Sequence, residues 1–225
     1  MQKNEKKEQY LSIIIKVIAI VASIYGMYRS FSGMMFFTYF TNLSNIFIDL
    51  VLGLFLVLEI QKKKISQPLY IIKFMATISI TLTCFVYLLL LAPTNEAGVI
   101  GAYLNNGAGS FCVHLLTPLL AIIDFLLFDK KYRSSQKHVF YAIVPPLIYV
   151  GYVVILAQLW GVRWDGTMMA PYNFLNYGAA TGWFGFDLSL FGATTLGIGS
   201  FYMIIVLILI FTVLGSAFLK MKRKG

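Results

Sequence analysis

The sequence predicts an all-α integral membrane protein. The expected architecture is a six-helix bundle with cytoplasmic N and C termini and a long aromatic, glycine-rich outer connection between helices five and six. Three observations predict it. The 225 residues are 59% hydrophobic and only 12% charged, with a mean hydropathy of +0.80, a balance foreign to water-soluble globules. Six segments, 10–29, 38–60, 69–91, 109–128, 139–160 and 199–219, each supply the roughly 20 mostly apolar residues that cross a bilayer. Basic residues gather at alternate ends of these segments, as the positive-inside rule requires.

With the N-terminus inside, Lys3, Lys6, Lys7 and Lys16 are cytoplasmic, followed by Lys62, Lys63, Lys64 and Lys73 around the second-to-third connection. Lys130, Lys131, Arg133 and Lys137 flank the fourth-to-fifth connection, and Lys220, Lys222, Arg223 and Lys224 close the chain. Only Arg29 and Arg163 fall outside, so the 18 basic residues divide sixteen to two. The formal charge of +9 therefore reads as topology signal suited to anionic headgroups. The basic clusters lack the interleaved aromatics of a nucleic-acid surface, so the partners expected are membrane lipids and not nucleic acid. Lysine- and isoleucine-rich usage fits a bacterium of low genomic GC content, and a bacterial plasma membrane is the expected location.

The first span has the basic start of a signal peptide, but its apolar run from Leu11 to Met27 is long, and only a poor cleavage site lies around Ala19 and Ala22. It is read as a retained helix. The inner connections QKKKISQP and DKKYRSSQK are short and read as plain tethers. The outer ones, 92–108 and 161–198, carry Gly, Pro and Asn and read as irregular backbone. Trp160, Trp164, Tyr172, Tyr177 and Trp183 suit the headgroup level, and Gly178, Gly182, Gly185, Gly192, Gly197 and Gly199 mark tight turns. The whole chain, 1–225, reads as one membrane domain without internal repeats.

The second span raises the functional question. In FFTYFTNLSNIFIDLVLGLF, the residues Thr38, Thr41, Asn45 and Asp49 follow at steps of three, four and four, which puts them on one helical stripe flanked by Asn42 and Ser44. Such a stripe must face other helices or a wet cavity, because unpaired polar groups in hydrocarbon cost several kcal/mol. Hydrogen bonding between helices is the ordinary explanation for Thr, Ser and Asn. A carboxylic acid at the depth of Asp49 suggests function instead.

Of the two histidines, His138 reads as a solvated helix start. His114 lies in the fourth span, with Thr117 on its face and Pro118 loosening the backbone. At about 1.5 Å per residue, Thr41 and His114 both fall roughly 5–8 Å below the outer boundary. A threonine hydroxyl attacks an ester only when a neighbour takes its proton, and a histidine at matched depth is suited to that. A core histidine hydrogen-bonded to Thr or Asn is the alternative. Asn42 or Asn45 would steady an oxyanion. Asp49 lies roughly 12 Å deeper than Thr41; Asp187, in the outer connection, is an equally eligible partner for His114. Thr38, Thr117 and Tyr172 complete the expected cavity wall.

YFTNLSN in the second span, a membrane histidine followed by TPLLAIID in the fourth, and PYNFLN after the fifth resemble the six-span family of androgen-induced and androgen-dependent membrane proteins, in particular its bacterial Pr-six-Pr branch. The resemblance runs through the whole chain in span order. It implies a threonine-type hydrolase acting on fatty acid esters, with Thr41 as nucleophile and His114 as base. No cofactor is expected. Neither is a metal, since Cys84, Cys112 and His114 have no recognised ligand spacing. The thiols read as small apolar packers rather than a disulfide. Two other classes stay open: a small-solute or ion transporter using intramembrane Asp49 and Asp124, although Asp124 points about 80° away from His114 on their helix, and a non-catalytic assembly factor.

Overall fold

The computed structural model describes residues 2–190 and 197–224, which leaves Gly192 outside. Among the described residues seven α-helices follow in order: α1 Gln2–Ser30, α2 Phe40–Ile60, α3 Gln67–Val86, α4 Gly98–Phe111, α5 Thr117–Phe128, α6 His138–Leu159 and α7 Ser200–Lys224. Short 3-10 and π turns join several of them. Six helical stretches are long and apolar enough to cross a membrane: Lys6–Ser30, Phe40–Ile60, Gln67–Thr94, Gly107–Phe128, His138–Leu159 and Ser200–Arg223. They fall within a few residues of the six segments read from hydropathy. The chain divides into two compact units, Met1–Ala142 with Gly215–Gly225, and Ile143–Leu214.

In the larger unit, α2 shows how the pattern works. Ile48, Leu52 and Phe55 are buried while Leu50, Leu54 and Val57 are exposed, so an apolar helix still has a protein face and a lipid face. The polar stripe differs from expectation at its start. Tyr39 is extended (ψ 133°) and α2 begins at Phe40, so Thr38 ends a preceding 3-10 turn, Gly33–Thr38. The chain from 92 to 108 also departs from the expected loop. Its apolar residues Ala102 and Tyr103 pack with Ala92 against Tyr87, Phe111 and Leu115, and that burial makes α4 helical. Gly107 and Ala108 both have positive φ (60° and 65°), so α4 turns sharply there. Beyond the turn α1 comes very close: a Cβ on Gly26 would sit 2.6 Å from Val113 Cγ1 and 2.7 Å from Gly109 O.

Lys16 and Lys73 are not the solvated topology markers expected. They are 2% and 0% exposed. Lys16 Nζ lies 2.7 Å from Asp124 Oδ1 and 3.0 Å from Glu59 Oε2, and it also donates to Ser12 Oγ. Lys73 Nζ lies 2.6 Å from Asp124 Oδ2 and 2.7 Å from Asp129 Oδ2, close contacts that lack hydrogen-bond alignment. This chain of charges ties α1, α2, α3 and α5 together. Burial pushes the Asp129 carboxyl up to about 6, with Lys73 pulling it back and Asp124 pushing it further. Phe74, Phe125 and Tyr132 surround the cluster with packed rings, and Lys73 Nζ stands 4.4 Å from the Phe55 ring centre.

In the smaller unit the segment after α6 is a folded, ring-stapled element. Tyr177 stacks on Trp183 at 4.5 Å and Tyr172 on Phe174 at 5.3 Å. Asn176 Oδ1 accepts the N–H groups of Met169 and Gly178. Trp164 and Tyr177 are buried and Trp160 is exposed, so only Trp160 of these three keeps the exposure expected of a headgroup-level ring.

Removing one partner of a buried ion pair strands the other charge, at a cost of about 3–5 kcal/mol. Lys73→Met is therefore expected to lower unfolding stability in micelles by that order, and adding Asp129→Asn to recover a large part of it. An unchanged unfolding midpoint in Lys73→Met would contradict this role.

Candidate active site

Pro118 shapes the environment of His114. It has no N–H to offer the His114 carbonyl four residues back, and the helix responds with a π turn, Cys112–Leu116, in which the Thr117 N–H reaches Cys112 O. A second π turn, Tyr87–Leu91, extends α3. The rings of Tyr87 and His114 stack with centres 3.6 Å apart and planes 14° from parallel. Single π turns inside helices recur at functional sites.

The hydrogen bonds around this stack define which histidine nitrogen is basic. His114 Nδ1 is 3.0 Å from the Ser110 carbonyl oxygen, which only accepts, so Nδ1 carries the proton. Ser110 Oγ donates to Tyr87 Oη at 2.7 Å, and the Tyr87 hydroxyl donates to Ala102 O at 2.8 Å. Ser110 Oγ, 3.2 Å from Nδ1, is thereby left as a second acceptor. In the neutral ring Nε2 is the bare, basic nitrogen.

Thr41 lies in the first turn of α2, where helical N–H groups have no intrahelical acceptor and the helix dipole favours negative charge. Its carbonyl accepts from Ser44 Oγ and Asn45 Nδ2, both at 2.9 Å. Asn45 Nδ2 also donates to Val113 O at 3.2 Å, which couples the helix of Thr41 to the turn of His114. Asn45 Oδ1 accepts from Ser23 Oγ at 3.1 Å, and Ser44 Oγ meets Thr83 Oγ1 at 2.8 Å. Asn42 Nδ2 donates to Phe36 O at 2.8 Å. Asn45 thus spends both amide protons on backbone carbonyls, and Asn42 spends one on Phe36 O.

The remaining candidates separate. Thr38 is buried and donates to Met35 O at 2.7 Å; Thr117 is buried and donates to Ala19 O at 3.4 Å. Both serve packing. Asp49 has both carboxylate oxygens shielded from solvent with no partner in hydrogen-bond geometry, although Ser23 is close enough to interact with it. Tyr172 and Asp187 belong to the smaller unit, where Asp187 Oδ1 is held by the N–H and hydroxyl of Ser189. Cys84 and Cys112 are free buried thiols. Among the described residues no group of His, Cys, Asp and Glu is arranged to hold a metal. Sequence reasoning did not single out Tyr87 or Ser110. Ser110 was available from its i, i+4 spacing to His114, whereas Tyr87 is one of 14 tyrosines and carries no local signal.

Comparison with known protein families, curated proteins and solved structures finds no match.

Asn45 holds two carbonyls and one hydroxyl, so its chemistry matters more than its volume. Asn45→Ala is expected to cost about 1–3 kcal/mol. Asn45→Asp, which turns a carboxylate toward the carbonyls of Thr41 and Val113, should cost more. Unfolding midpoints in the reverse order would contradict this reading of the bridge.

Proposed function

We propose that the protein is an intramembrane hydrolase of fatty-acyl esters, with Thr41 as nucleophile and His114 as base, in a plasma membrane of bacterial type with both termini on the cytoplasmic side. The observation that carries this reading is the hydrogen-bond relay Ala102 O, Tyr87, Ser110 and His114, which leaves Nε2 as a base of defined orientation. The coupling of α2 to the His114 turn through Asn45, and the likeness of YFTNLSN and HLLTPLLAIID to the androgen-induced membrane hydrolases, support it further.

The chemistry follows from these groups. Thr41 Oγ1 adds to the ester carbonyl as Nε2 takes its proton. The oxyanion forms in the first turn of α2, where the helix dipole stabilises negative charge. His114 returns the proton to the departing alcohol, and the acyl group stays on Thr41. Water then attacks with the same nitrogen as base, releasing the fatty acid and restoring Thr41. Exposed apolar side chains on the lipid-facing surface suit an acyl chain as substrate.

A second reading, proton or small-solute passage, is favoured by one observation only, the Asp49 carboxylate shielded from solvent within α2. It requires that Asp49→Asn abolish flux in proteoliposomes.

The purified protein is to be exposed to a fluorophosphonate probe and a panel of long-chain esters. Thr41→Ala keeps the carbonyl that Ser44 and Asn45 bind, so the fold should survive while labelling is lost. His114→Ala should lower turnover by about 100-fold or more. Labelling or turnover that survives both substitutions would sink the pair.

A further inference from the structure

The two inner connections are not plain tethers. Together with parts of α1, α2, α3 and α5 they line a half-open cavity of about 400 Å³ in the larger unit, within the size range of small-ligand sites of about 300–1,000 Å³. Six lysines line it against two carboxylates, Glu59 and Asp129. The innermost lysine, Lys16, is saturated by Asp124, Glu59 and Ser12, so the floor is neutralised by its own groups. The surplus lies at the rim: Lys62, Lys63, Lys64 and Lys131 are exposed and have no carboxylate within ion-pair distance among the described residues, while Lys130 is paired with Glu8.

The rim is also held in place. Lys62 stands at φ 54°, the left-handed position after a helix that glycine normally takes. The Lys62 N–H reaches Glu59 O and the Lys63 N–H reaches Leu58 O at 2.8 Å, which closes the end of α2 and fixes the backbone of the lysine run beside the cavity. Across the opening, Gln67 binds the Lys131 carbonyl at 2.7 Å and the Arg133 N–H at 3.0 Å, which anchors the second connection. Two lysine-bearing segments remote in sequence are therefore held around one concave site, and Phe55, Tyr70 and Phe128 give it an apolar flank. A disordered basic tether would have neither the concave shape nor the anchoring.

We infer that this cavity binds a phosphate-bearing anion, with the rim lysines as its electrostatic grip and the aromatic wall against its organic part. A phospholipid headgroup and a soluble polyphosphate share that chemistry, and basic pockets between membrane helices are suited to it. The site is independent of the Thr41–His114 pair and stands or falls without it.

The full-length protein in phosphatidylcholine nanodiscs is to be titrated with inorganic tripolyphosphate. In a second arm, nanodiscs doped with phosphatidylglycerol or cardiolipin report lipid retention by native mass spectrometry and the shift in unfolding temperature. Binding in the first arm identifies a soluble phosphate source, binding in the second a headgroup, and either supports the site. Lys63→Gln/Lys64→Gln/Lys131→Gln, all at exposed positions, should weaken binding by about fivefold per lysine, roughly a hundredfold together. Lys6→Gln/Lys7→Gln, outside the cavity, should leave it unchanged. Absence of binding in both arms, a triple variant that binds like wild type, or equal weakening by the two sets of substitutions would overturn the inference.

Discussion

Lys73, fully buried between Asp124 and Asp129, is the contact on which the larger unit depends. In hydrocarbon an apolar side chain gains nothing by leaving lipid for protein, so helices associate through close packing and polar contacts. Lys73 joins α3 to α5, and Lys16 extends the same chain of charge to α1 and to Glu59 on α2. Each ion is costly to desolvate, and each is retained because its partner is already in place. Toward the other end of these helices the same task falls to neutral groups: Ser23, Asn45, Ser44 and Thr83 link α1, α2, α3 and the His114 turn.

Beyond the neutral layer, on the side away from the ion cluster, the backbone itself shapes the candidate site. A proline four residues after a histidine leaves that histidine's carbonyl without its helical donor, and the π turn that results carries the imidazole against Tyr87. The stacked tyrosine, rather than a carboxylate, completes the relay, and its hydroxyl ends on a backbone carbonyl. The imidazole is oriented without a buried acid. That arrangement suits a low-dielectric site, where a triad carboxylate would need its own compensation. Asp49 is consistent with this separation, since its oxygens are engaged in no hydrogen bond of the relay.

Much of the fold was legible in the sequence because hydropathy reports burial in lipid directly, and all six spans were found this way. The helical phase of Thr41, Asn45 and Asp49 was legible for the same reason. What escaped depends on tertiary pairing. Lys16 in IIIKVIAI and Lys73 in YIIKFMA sit within apolar runs, as Asp124 does in AIIDFLL, and such residues persist in spans when paired; counting them as topology markers hid the ion cluster. Helix α4 was missed because its glycines and asparagines argue for a loop, whereas burial of Ala102 and Tyr103 against Tyr87 decides the outcome. That Asn45 spends both amide protons on carbonyls was equally hidden, because composition does not show tertiary partners.

A fixed hydrogen-bond relay leaves one nitrogen of His114 bare. With ¹⁵N-labelled histidine in the purified protein, and His138→Gln to remove the other imidazole, the ring nitrogen resonances at neutral pH report the tautomer directly. A protonated Nδ1 with an unprotonated Nε2, shifting when Ser110 and Tyr87 are replaced by Ala and Phe, is the result predicted. An Nε2–H tautomer, or an even mixture indifferent to those substitutions, would contradict it.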